Sequence, residues 1–119
     1  MNTKFFENEI NEKYYVLGWI LSDGHVAGDS NFWSIQIHQK DKLMLEKILI
    51  MIDSDKKIYG PYQDRPSVQL QITCKEHLDF LVNTWGLDNH KSQTLKWKDC
   101  PDEFLPHLVR GYFDGDGSI

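Results

Sequence analysis

Two stretches of this chain, VLGWILSDG at 16–24 and VRGYFDGDG at 109–117, repeat one pattern 93 residues apart. Each closes an apolar, helix-like run. Each sets two small residues four positions apart: Gly18 and Ser22 in the first, Gly111 and Gly115 in the second. Each then ends in Asp-Gly, at Asp23-Gly24 and Asp116-Gly117. Small residues one turn apart let two helix backbones approach closely. An Asp in the last turn is unfavourable in an isolated helix, whose C-terminus already carries about half a negative charge. Two such ends side by side gather carboxylates and free carbonyls, a set that suits a hard cation such as Mg²⁺. One Asp-Gly at a helix end is a common turn. Two copies with matched spacing predict a paired helix seam with a shared acidic end.

Between the copies the periodicity alternates between helical and extended. EINEKYYVLGWILS at 9–22 has apolar residues at Ile10, Tyr14, Leu17 and Leu21, and predicts a helix closed by Gly24 in a left-handed conformation. A short strand is expected around His25-Val26, followed by a turn in AGDSN. FWSIQIH at 32–38 alternates, with Trp33, Ile35 and Ile37 on one face and Ser34, Gln36 and His38 on the other. KDKLMLEKILIMI at 40–52 reads as a second helix, and 57–62 and 67–73 as a pair of strands. A third helix over 75–85 is capped by Gly86, and Pro101 opens a last helix over 102–115. Helices beside antiparallel hairpins make an α+β domain.

Charge is distributed unevenly. The net charge of -5 argues against a nucleic-acid ligand. Yet residues 56–98 carry seven basic and four acidic side chains, whereas 1–55 carry five and nine, and 99–119 one and five. The outward positions expected on the two alternating strands, Ser34, Gln36, His38, Gln69, Gln71 and Thr73, are hydrogen-bonding groups without one carboxylate. Such a face suits reading of base edges. Lys56, Lys57, Arg65 and Lys91 are placed to meet phosphate. No apolar run approaches the ~20 residues of a membrane span, and no signal-peptide pattern opens the chain. The two cysteines follow no metal-ligand spacing, so an intracellular, reduced, DNA-associated cytoplasmic protein is expected.

The segment LVRGYFDGDGSI, with VLGWILSDGHV as a looser first copy, resembles the LAGLIDADG (dodecapeptide) homing endonucleases of introns, inteins and phages. Leu21 stands where that family usually has its first acidic residue, and Asp114 occupies the corresponding place in the second copy. The resemblance implies an αββαββα unit over 1–107, with 108–119 as the motif helix of a second unit. It implies a metal-dependent DNA endonuclease, a hydrolase of a mobile genetic element, that cuts double-stranded DNA. Mg²⁺, or Mn²⁺ in its place, would be held by Asp23 and Asp116 with the carbonyls of Ser22 and Gly115. Asp23 and Asp116 would be catalytic, assisted by Lys98 in KDCP, with Lys91 the second choice.

In such an enzyme a further ββαββα set would follow Ile119. The chain is therefore expected to be the N-terminal part of a longer or split protein, or to pair with a second half-domain chain or a second copy of itself. A non-catalytic DNA- or RNA-binding relative on the same fold, a maturase or a regulator, is the alternative. A third reading is a small interaction protein whose Asp-Gly pairs only end helices.

Overall fold

A computed structural model describes residues 1–87 and 100–116, with the side chain of Asp116 outside the description. The elements are α1 (Asn11–Asp23), β1 (Gly24–Ala27), β2 (Phe32–His38), α2 (Lys42–Met51), β3 (Ser67–Thr73), α3 (Lys75–Leu78) and α4 (Leu105–Asp116). The expected α+β class holds. The strands form one antiparallel sheet in the order β1-β2-β3.

The second hairpin of the expected repeat is not completed. In place of a strand over 57–62 there are only single bridges, Tyr59 to Gln69 and Tyr62 to Arg65. Gly60 takes φ +88 and Pro61 has no N–H to give a ladder, so pairing stops after Tyr59. The helix expected over 75–85 is one α turn that widens into a π-turn over Asp79–Thr84. Leu78, Leu81 and Trp85, spaced three and four apart, all reach the core. Gly86 ends it at φ +68, as expected. Gly24 does not: it is extended at φ -86 and already belongs to β1, so α1 passes straight into the sheet.

α1 is not the amphipathic helix its spacing predicts. Lys13 through Leu21 are all buried, and Ile10, read as a core position, is exposed. The helix lies between the sheet and α4, so it has no solvent face over those two turns. The N-terminal segment also contributes to the core. A 3-10 turn at Phe5–Glu7 buries Phe5 and Phe6, and Phe6 stacks on Phe80 at 5.7 Å and meets the His77 ring edge-on at 4.9 Å.

Two buried polar residues are fully provided for. His77 accepts from Trp33 Nε1 at 3.1 Å through Nδ1, which leaves Nε2–H to donate to the Asn2 carbonyl at 2.9 Å. This fixes the neutral tautomer, and burial pushes the His77 pKa down. Lys13 is buried against the Tyr14 and Phe80 rings, and its ammonium reaches Glu9 at 2.6 Å. That hydrogen bond holds the Glu9 carboxyl below its usual range.

Candidate functional site

Helices α1 and α4 pack with their backbones in contact, as the repeated motif predicts. A Cβ added to Gly18 would overlap the Leu108 carbonyl and fall 2.6 Å from the Tyr112 nitrogen. A Cβ on Gly111 would overlap the Tyr15 carbonyl, and one on Gly115 the Ser22 hydroxyl. The facing positions rise together along both helices, from Tyr15 and Gly111 to Ser22 and Gly115, so the helices run parallel. Their C-termini lie at one end of the seam, and so do their negative dipole ends.

Just beyond the Ser22–Gly115 contact come Asp23 and Asp116. Asp23 is exposed. The expected second carboxylate, that of Asp116, lies outside the described side chains. Among the described residues, no three His, Cys, Asp or Glu side chains cluster to hold a metal ion. The seam instead carries a side-chain chain of its own. Tyr15 donates to Asp114 Oδ2 at 2.7 Å, and the Arg110 guanidinium lies 4.5 Å from the Tyr15 ring centre. Burial, more than the bond to Asp114, raises the Tyr15 pKa. Ser22 turns its hydroxyl back to the Trp19 carbonyl at 3.1 Å.

The helix ends open onto a cleft of about 500 Å³ whose other wall is the end of the sheet. Asp23, Asp114 and Trp19 line it from the helices, Gln36, His38 and Ser67 from β2 and β3, and Lys40 and Asp41 from the turn between. The sequence reading gave Asp23 a metal role and Gln36 and His38 a DNA-binding one; the fold brings the three to one cleft.

The polar sheet face is present with one correction. Cross-strand pairing sets Gln36 opposite Gln69, Ser34 opposite Gln71 and His38 opposite Ser67. Gln36 donates to Ser67 Oγ at 3.1 Å, tying neighbouring rows together. Ser34, expected to point to solvent, is 6% exposed. It sits on the central strand, paired with His25 on one side and Gln71 on the other. Gln69 and Gln71 are half-buried, and Thr73 is exposed. Missed by the sequence reading were Tyr59, which pairs with Gln69 and so joins this face at the sheet edge, and His25 at the other edge. Tyr59 falls within the strand expected over 57–62, and the bridge to Gln69 decides which face it joins.

Of the expected phosphate contacts, Lys56, Lys57 and Arg65 are exposed. Arg65 stacks on Tyr62 at 5.3 Å and leans on Asp64 at 3.9 Å. Lys91 and Lys98 lie outside the described residues.

No protein-family model matches the chain, and no solved structure matches it. It is 30% identical, over an alignment covering all of its length, to the DNA-directed RNA polymerase subunit Rpo1C of Methanocaldococcus jannaschii. The chain spans 14% of that subunit's length. These findings correct the resemblance drawn from the Asp-Gly motifs. The relative is a polymerase subunit by name, not a LAGLIDADG endonuclease. The homing-endonuclease function, the hydrolytic activity and the intron or intein context that rested on the resemblance are set aside with it. What the motifs do describe is the parallel seam of α1 and α4.

Proposed function

We propose that the chain is a DNA-contacting module of a larger assembly, with the outer face of the sheet laid against the nucleic acid. The observation that carries this is the face itself. Gln36 and His38 on β2 and Ser67, Gln69, Gln71 and Thr73 on β3 present amides, hydroxyls and imidazole and no carboxylate, in a chain of net charge -5. Such groups can donate to and accept from base edges without repelling phosphate. The name of the relative, a subunit of a DNA-directed polymerase, agrees with a DNA partner and with partner subunits.

The cleft at the helix ends overlaps one end of this face: Gln36, His38 and Ser67 share it with Lys40 and with Asp23, Asp41 and Asp114, whose carboxylates disfavour phosphate there. Lys56, Lys57 and Arg65 supply charge elsewhere around the sheet. Among the described residues no helix is long and apolar enough to cross a membrane.

The test is anisotropy titration of labelled DNA duplexes of varied sequence. Gln36→Ala or Gln71→Ala should change the preference at single base pairs, by about 1–3 kcal/mol for a lost bidentate contact. Lys56→Ala and Lys57→Ala should weaken binding to every sequence alike and flatten its salt dependence. The reading fails if no salt-dependent binding is seen, or if the glutamine and lysine variants affect every sequence equally.

A further inference from the structure

Behind the sheet, a cleft of about 340 Å³ runs between α2 and the segment that leads to Tyr59. It is lined by Lys42, Glu46 and Leu49 from one face of α2 and by Lys56, Lys57 and Ile58 from the facing segment. Three lysines and one glutamate therefore line one groove of an acidic protein. Among the described residues the ion pairs are Lys13–Glu9 and Arg65–Asp64, so none of the three lysines has a carboxylate partner there. Glu46 lines the groove without pairing to any of them.

Packing does not explain the cluster. Lys42, Lys56 and Lys57 are exposed, so their stems cover little of the core. Lys42 also opens α2, where the helix dipole disfavours a cation. Three lysines against one glutamate leave the groove with a net positive charge, which attracts an anion.

The groove is continuous with the proposed interface. Lys57 lies two residues before Tyr59, which is hydrogen-bonded to Gln69 on the outer face at 2.9 Å in both directions. A phosphodiester backbone crossing that face meets Lys57 at the sheet edge, and beyond it the floor of the groove.

We infer that the nucleic-acid path does not stop at the edge of the sheet but turns around it at residues 57–59, and that Lys42 on α2 is a phosphate contact. The ligand is the phosphodiester backbone. This inference rests on the reading of the sheet face as a DNA interface and extends its footprint to a helix on the opposite side.

The experiment measures the dependence of log K on log salt for a labelled 30-base-pair duplex with the full chain and two variants, Lys42→Ala and Lys47→Ala. Lys47 is an exposed lysine of the same helix that does not line the groove. Loss of one phosphate contact should lower the slope by about 0.9 and weaken binding roughly eightfold at 0.1 M salt. Lys42→Ala should show this and Lys47→Ala should not, with the melting midpoint of both unchanged. A wild-type chain that binds duplex while Lys42→Ala keeps the slope of Lys47→Ala overturns the wrapped path and leaves the sheet interface standing. A wild-type chain that does not bind duplex overturns both.

Discussion

The α1–α4 seam and the outer face of the sheet are built on opposite terms. In the seam, backbone touches backbone at Gly18 and Gly111, Gly115 meets the Ser22 and Trp19 side chains, and no space remains for a methyl group. On the sheet face the groups that matter are side-chain termini, Gln36 and His38 among them, exposed and held by few contacts. The seam fixes where α4 sits and where both helix ends point; the face can change its chemistry without moving the fold. An interface placed on the second kind of surface can vary its specificity at little cost in stability, because the core is formed elsewhere.

Substitution in the seam gives the largest expected effect. Gly111→Ala pushes a methyl group into the Tyr15 carbonyl, and the helices must separate to admit it. Overpacking of this kind costs about 1–3 kcal/mol or more, against about 1 kcal/mol gained from helix propensity. A clear fall in the urea midpoint is expected. Wild-type stability in Gly111→Ala would show that the seam is looser than its geometry and break the contrast.

A middle effect comes from His77, which links the sheet to the N-terminal segment. Its pKa is pushed below the ordinary value of 6.5, so the folded protein resists the proton that the unfolded chain takes up. The stability it supports is complete above about pH 6.5 and declines as pH falls below it toward the depressed folded pKa. Urea midpoints measured from pH 7.5 to pH 5 should fall in the wild type and fall less in His77→Phe. Equal slopes in the two proteins would remove His77 as the cause.

The smallest effect is expected on the face. Gln36→Ala removes a hydrogen bond to Ser67 between exposed groups, and its midpoint should stay within about 0.5 kcal/mol of wild type. A loss as large as that of Gly111→Ala would make the face a structural element rather than a free surface, and the contrast would vanish.

The sequence by itself determined the parts whose cause is local. Alternation in FWSIQIH and VQLQIT fixed β2 and β3 and which residues share a face. The four-residue spacing of small residues fixed the seam, because one helical turn separates them whatever lies around. The motif did not carry its own function, since a close-packed helix pair ending in acid describes a joint that unrelated activities can share. Only the tertiary structure decided burial and proximity. Lys13 and Ser34 are covered by neighbours distant in sequence, and Phe5 and Phe6 enter a core that their polar surroundings do not announce. The lysine groove joins positions 42 and 57, and the acidic cleft joins 23, 41 and 114. Such groupings depend on where the chain returns in space, and side-chain periodicity, which repeats within a few residues, holds no record of that return.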